Sequence, residues 1–335
     1  MVIRHGGNLF AIARERGWDW RDLLEFSASI NPLGPAPGVR DAIVAALDRI
    51  VHYPEKSPQL LAERLAELWG VDAAQILLGN GATELLHFLA RQLDWTGVTL
   101  VVPTFSEFHR AWPNAALIAP DEAAGTRAPL VLTQPNNPLG SALPCEQIAG
   151  LVAARRTPVL VDESFIEFTG LPSVAQLTRH HDNLFVLRSL TKFYALPGLR
   201  IGALVGPAAI VEQMKGYREP WQVNVLAEAA ALAAIADCGH AARSIEFVRT
   251  ERAWVESQLS GIRALRLAAS CANYLTAWVN TDAETLCAWF LDRKILLRDL
   301  RGTPGISGEA IRFAIRTRPE NERLVAGLKE YFCEP

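Results

Sequence analysis

Five short apolar runs, QILLGNG, VTLVV, PLVLT, PVLVDE and NLFVLRS, lie between residues 75 and 189, and each ends in polar or turn-forming residues. Helix-length patterns separate them. Runs that are apolar at successive positions, rather than at alternate ones, suit strands buried on both faces. Such strands alternating with helices predict an α/β chain, with a mostly parallel central sheet covered by helices. In sheets of this kind, groups that act on a ligand gather at the strand ends, near the switch in strand order. The helices are legible too. PQLLAERLAELWG (58–70) carries leucines at helical spacing and stops at Gly70, a residue suited to a C-cap, and ATELLHFLARQL (82–93) reads as the next helix.

Beyond IGALVG (201–206) the pattern changes. QVNVLAEAAALAAIADCG (222–239) is an Ala-rich helix and EFVRTERAWVESQLSGI (246–262) a charged amphipathic one. LRLAAS, ANYLTAWVN, a helix around ETLCAWFLDRK, ILLRDL and AIRFAIRT follow, then a final helix from Glu320. These segments predict a smaller α+β domain. The first thirty residues carry too little to fold alone and are placed against it. The expected division is 31–225 for the large domain, with 1–30 and 226–335 forming the small one.

A net charge of −3 removes the electrostatic case for nucleic acid or an anionic membrane as main partner. No apolar run approaches the roughly 20 residues of a membrane span, and the start, MVIRHGGN, is too polar for a signal peptide. The five cysteines (Cys145, Cys238, Cys271, Cys287, Cys333) are scattered and form no C-x-x-C, which favours reduced thiols in the cytoplasm over disulfides or a zinc site. A cytoplasmic chain without a metal is expected.

Four motifs carry chemistry. In 79-GNGATELL-86 a glycine turn between strand and helix exposes backbone N–H groups at a helix N-terminus, an anion site or simply a tight turn. Glu84 stands where a dinucleotide fingerprint wants its third glycine, so any phosphate at Gly81, Ala82 and Thr83 is not held in that fashion. TQPNNPLG (133–140) offers asparagines as turn formers or as amide donors at a strand end. PVLVDESFIEF (158–168) ends a buried strand on Asp162 and Glu163, which is costly for a carboxylate without a partner. In 189-SLTKFYALPGLRIG-202, Lys192 has Ser189, Thr191 and Arg200 around it, groups suited to phosphate oxygens. A partly desolvated lysine near another cation is a nucleophilic amine, and such amines form Schiff bases with aldehydes. An aldehyde with a phosphate, a ring oxygen and a ring nitrogen describes pyridoxal phosphate.

Together, in this order and with the spacing S-x-T-K-x₇-R, the motifs resemble fold-type-I pyridoxal-phosphate enzymes of the class I/II aminotransferase superfamily. The similarity extends from His52-Tyr53-Pro54 to the C-terminus. It implies the aspartate aminotransferase-like fold, pyridoxal 5'-phosphate as cofactor, and a homodimer. By this resemblance Lys192 binds the cofactor aldehyde and shuttles a proton, Asp162 pairs with the ring nitrogen, and Asn137 donates to the phenolic oxygen. Gly81, Ala82, Thr83, Ser189, Thr191 and Arg200 hold the phosphate, and Phe105 stacks on the ring. Tyr53 reaches the partner's cofactor phosphate, and Arg312 takes the substrate α-carboxylate. One departure is Phe165, where many relatives carry a tyrosine on the phenolic oxygen.

HGGN (5–8), EFSASINPLGP (25–35), ILLRDLRG and AIRFAIRTRPEN look like the L-threonine-O-3-phosphate decarboxylases of cobalamin biosynthesis, a group related to the histidinol-phosphate aminotransferases. That implies CO₂ release from L-threonine O-3-phosphate to give (R)-1-amino-2-propanol O-2-phosphate. Transamination of histidinol phosphate with 2-oxoglutarate is the alternative. His5 and Asn31 are expected to contact this small phosphorylated amino acid, with Arg318 or Arg323 as its second anion site.

Overall fold

A computed structural model of the chain describes residues 6–333. A seven-stranded sheet is built from β1 (Ile76–Gly79), β2 (Thr99–Val101), β3 (Ala116–Ile118), β4 (Leu130–Thr133), β5 (Val159–Asp162), β6 (Leu184–Ser189) and β7 (Gly202–Val205), in the order β1-β7-β6-β5-β4-β2-β3. Strands β3, β2, β4, β5 and β6 pair in parallel, and β7 runs antiparallel to β6 and β1. Every residue of β1, β4, β5, β6 and β7 is buried, which explains their unbroken apolar runs. Val159 and Val161 pack into one apolar layer and Leu160 into the other, as the strand pleat requires.

The helix Gln59–Trp69 buries Leu61, Leu65 and Trp69 and ends at Gly70 with φ +66°, the left-handed cap its sequence announced. Strand β3 escaped the sequence reading. It lies at the sheet edge with Ala116 and Leu117 exposed, so it lacks the apolar run that marks the inner strands.

The C-terminal part forms a four-stranded antiparallel sheet from β8 (Leu265–Leu267), β9 (Tyr274–Val279), β10 (Arg298–Asp299) and β11 (Ala310–Ala314), ordered β10-β11-β9-β8. Helices Cys238–Leu259, Ala283–Asp292 and Arg318–Cys333 supply Val255, Leu286, Phe290 and Leu324 to its core. The last helix starts two residues before the expected Glu320. Near the N-terminus, Leu24–Glu25 pairs in parallel with Ile295–Leu296, and Phe26 is buried in the same core. The Ala-rich helix Val225–Ala236 and the long helix after it break at Asp237, whose carboxylate caps His240 N–H at 2.7 Å. No single described helix is long and apolar enough to cross a membrane.

Candidate active site

Strands β4, β5 and β6 are neighbours running the same way, with Thr133, Asp162 and Leu187 in register and Ser189 two residues further on. Their carboxyl ends open on a cavity of about 520 Å³. That size suits a cofactor plus a small substrate.

The anion cup lies at one end. Gly81 has φ +87°, and a Cβ there would stand 2.5 Å from the Arg200 guanidinium. Only glycine lets that cation close over the turn. A Cβ on Gly202 would lie 2.5 Å from the backbone nitrogen of Ala82. Hence β7 and the start of the helix Ala82–Gln92 touch backbone to backbone. The first N–H groups of this helix have no intrahelical acceptor, and Ala82 and Thr83 line the cavity. Ser189 Oγ and Thr191 Oγ1, both buried, sit 2.7 Å apart beside them. The residue at the missing third glycine, Glu84, accepts from Asn80 N–H at 3.2 Å and from Arg218 at 2.5 Å. It braces the turn from outside the cup.

Lys192 lines the cavity, and its side-chain amine makes no hydrogen bond or ion pair among the described residues. Burial, then repulsion from Arg312 and Arg200, brings its amine down to about 8 against a weaker opposing pull from Asp162. Asp162 is itself buried, and burial raises its carboxyl above the usual range although Ser164 hydrogen bonds and Lys192 oppose this. Its Oδ1 accepts from Ser164 N–H at 2.9 Å and Ser164 Oγ–H at 2.5 Å. Its Oδ2 has no hydrogen-bond partner among the described residues. The next residue points to the other face of the strand. There Glu163 pairs with Arg188 at 3.2 Å, and Arg188 reaches Glu167 at 2.7 Å and lies over Trp69. The carboxylate pair at the end of β5 therefore divides into one paired group and one that lacks a cation.

Asn137 Oδ1 accepts from Arg312 Nη1 at 2.5 Å, which leaves its Nδ2 to donate elsewhere. Arg312 also donates to Ser27 O at 3.0 Å, while its buried Nε has no partner. Phe105 and Phe165 line the same cavity. Phe165 has no hydroxyl, and the nearby Tyr274 hydroxyl is held by Asn136 O at 2.7 Å, so neither ring offers a free hydroxyl to the cavity. A phosphate cup, an unpaired amine of lowered basicity, a buried carboxylate with a free oxygen, an amide donor and an aromatic face fit pyridoxal phosphate group by group.

Other expected residues lie elsewhere. Asn31 is buried outside the cavity, its Nδ2 donating to Phe193 O and Ser244 Oγ at 2.8 Å each and its Oδ1 accepting from Leu33 N–H. It ties down the loop, with both amide hydrogens engaged inside the fold. Arg318 forms a forked pair with Glu251 at 2.9 and 3.0 Å and lies over Trp254, away from the cavity. Arg323 is an exposed residue of the same last helix. Neither arginine lines the cavity. Tyr53 is 80% exposed and stacks on Trp221. His5 lies outside the described residues, but Gly6 lines the cavity with Ser27, Ala28 and Ser29.

The cation that sequence reasoning missed is Arg298. Its Cα is the register partner of Arg312 across β10 and β11, and its side chain lines the cavity without an ion pair among the described residues. Burial, and then Arg312, lowers it to about 10. A signal existed: Arg298 interrupts the apolar run ILLRDL, but only strand pairing reveals what it stands beside.

The model of the family described as aminotransferase class I and II matches residues 113–328. The chain is 34% identical to a threonine-phosphate decarboxylase of Salmonella typhimurium, over 97% of this chain and 95% of that one. It is 32% identical to a histidinol-phosphate aminotransferase of Halorubrum lacusprofundi, over 98% and 94%. The fold superposes on histidinol-phosphate aminotransferase from Sinorhizobium meliloti, solved with pyridoxal-5'-phosphate, with a TM-score of 0.86 at 23% identity, covering 99% of this chain and 96% of that one. With the site geometry and these likenesses in agreement, the chain belongs to the aminotransferase class I and II family.

Proposed function

We propose that this enzyme, with pyridoxal 5'-phosphate as its cofactor, decarboxylates L-threonine O-3-phosphate to (R)-1-amino-2-propanol O-2-phosphate and CO₂. The observation that carries the reading is the Arg298–Arg312 pair facing the cavity, neither of them ion-paired to a carboxylate among the described residues. Two guanidiniums forced together call for a ligand with two anionic groups, and the carboxylate and phosphate of a phosphorylated amino acid supply them. The N-terminal residues that resemble the decarboxylases also form the cavity wall, at Gly6, Ser27, Ala28 and Ser29.

In this reading Ala82, Thr83, Ser189, Thr191 and Arg200 hold the cofactor phosphate, and Phe105 covers the ring. Asp162 holds a proton on the ring nitrogen and Asn137 donates to the phenolic oxygen. Bound there, the cofactor supplies an electron sink for negative charge developing at the substrate Cα. Lys192 would be the amine that holds the cofactor through its aldehyde carbon, and it would carry the proton to Cα. Arg298 and Arg312 would hold the substrate's two anionic groups and so set which bond at Cα is exposed to the cofactor's electron sink.

We also propose a homodimer, supported by a patch of exposed apolar residues around Val44, Ile50, Val51 and Tyr53, and a cytoplasmic setting, supported by free cysteines.

The test is direct. Purified protein should be yellow, and borohydride should fix the label on Lys192. It should release CO₂ from L-threonine O-3-phosphate. Amino transfer from histidinol phosphate to 2-oxoglutarate without CO₂ release would establish the transaminase reading instead. A colourless protein that takes up no cofactor would overturn both. Lys192→Ala should lose most of the turnover, and near-normal activity would overturn its assignment.

A further inference from the structure

Asp162 sits in a setting that works against its task. Its carboxyl is buried, burial alone favours the neutral acid, and a neutral acid cannot hold a proton on a ring nitrogen. Among the described residues the charged group acting on it is Lys192. That amine is itself of lowered basicity, and it is consumed when it takes the aldehyde. Glu163, the neighbouring carboxylate, faces the opposite side of the strand and is neutralised by Arg188. Something else must keep Asp162 ionised.

We propose that Ser164 is the positioning residue of this site, holding Asp162 as an oriented carboxylate with Oδ2 presented to the ring nitrogen. Two contacts from one residue converge on Oδ1. The backbone N–H donates at 2.9 Å and the hydroxyl at 2.5 Å, and both residues are buried. A hydroxyl donating to a carboxylate is a short, charge-assisted hydrogen bond that favours the charged form. It also fixes rotation about the Asp162 side chain. With Oδ1 engaged twice, Oδ2 is the oxygen left for the cavity. Both Asp162 and Ser164 line that cavity, so the pair is a built wall rather than a remote contact. Ser164 does not touch the reacting atoms and acts through Asp162. The inference rests on Asp162 facing the ring nitrogen, and its test separates the two claims.

The test compares cofactor binding by wild type, Ser164→Ala and Ser164→Thr. Each is titrated, as apoprotein, with pyridoxal phosphate and with the carbocyclic analogue whose ring nitrogen is replaced by carbon. A hydrogen bond to a charged group corresponds to a factor of roughly 10 to 100 in an equilibrium constant. Ser164→Ala should therefore weaken pyridoxal phosphate about tenfold, since the backbone N–H remains, and leave the analogue unchanged. Ser164→Thr keeps the hydroxyl and should restore the affinity. In the holoenzyme, the visible band of Ser164→Ala should titrate at higher pH than that of wild type. A ring that has lost its proton withdraws fewer electrons, so the cofactor–lysine linkage stays protonated longer. Equal weakening of both ligands in Ser164→Ala would show a merely structural residue and overturn the proposal. Wild type binding the analogue as tightly as pyridoxal phosphate would overturn the role of Asp162, and the proposal with it.

Discussion

At the scale of residues, the site is a set of charges that the fold keeps apart from their usual partners. Lys192, Arg298 and Arg312 share one cavity, and none of them has a carboxylate within ion-pairing distance among the described residues. The cost of crowding cations is expressed in Lys192, whose amine is lowered to about 8 by burial first and by Arg312 and Arg200 second. A lysine so placed is neutral above about 8, whereas an ordinary one is protonated until roughly 10.4. Only the neutral amine attacks an aldehyde. The rate at which apoprotein captures pyridoxal phosphate should therefore climb with pH and level off above about 8. Arg312→Met removes a cation that lowers Lys192, so the midpoint of that profile should move upward. Stopped-flow absorbance across pH 6 to 10 measures both, and an unshifted midpoint in the variant would reject the electrostatic account. Lys192 and Arg200 could be singled out in the sequence because they share a motif with hydroxyls suited to a phosphate, and Arg312 through the family resemblance. Arg298 could not, because its significance is a cross-strand neighbour fourteen positions away, and sequence spacing is silent about register.

At the scale of elements, the anion cup depends on how closely a helix start can approach a strand. Gly202 and Gly81 serve that approach in different ways. A Cβ on Gly202 meets Ala82 N, Gly81 C and Arg188 O, all backbone atoms within 3.0 Å, so the helix must move. A Cβ on Gly81 meets the end of a flexible arginine and carries the strain of a positive φ. Gly202→Ala should thus cost about 1–3 kcal/mol in urea unfolding, as overpacking does, and also weaken cofactor binding. Gly81→Ala should cost about 1–2 kcal/mol of backbone strain and weaken the cofactor further by displacing Arg200. Unaltered cofactor affinity in both variants would mean that the cup lies elsewhere. The strands β1, β2, β4, β5 and β6 could be read in advance because burial on both faces leaves an unbroken apolar run. The edge strand β3 could not, since half-exposed backbone pairing needs no such run. Asn31 shows the converse error. Its position in a suggestive segment led to a ligand role, but the fold uses its amide to tie the loop to Phe193 and Ser244.

At the scale of the whole molecule, one surface remains unexplained by a single chain. Ile50 is 62% exposed, Val51 77% and Tyr53 80%, and Tyr53 stacks on the partly exposed Trp221. Apolar side chains so concentrated mark a contact surface, and closed two-fold dimers are the commonest way to cover one. Replacing both Ile50 and Val51 by Asp should convert a dimer to a monomer in sedimentation experiments. Because Tyr53 is expected to reach the partner's phosphate, the monomer should also bind the cofactor more weakly. A double variant that sediments as wild type would remove this face from the interface.

The sequence by itself determined the chemistry available to this protein. A lysine among hydroxyls and an arginine, a carboxylate at the end of a buried strand, and a glycine turn before a helix are local patterns, and their order along the chain sufficed to resemble a family. Tertiary structure decided which charges meet. Parallel pairing of β4, β5 and β6 brings Asn137, Asp162 and Lys192 to one cavity, and antiparallel pairing of β10 with β11 sets Arg298 beside Arg312. It also withdrew Asn31 and Arg318, by giving each a closer partner. The physical reason is that a side chain's chemistry belongs to the residue, whereas its electrostatic neighbours and its spare hydrogen-bonding capacity belong to the fold.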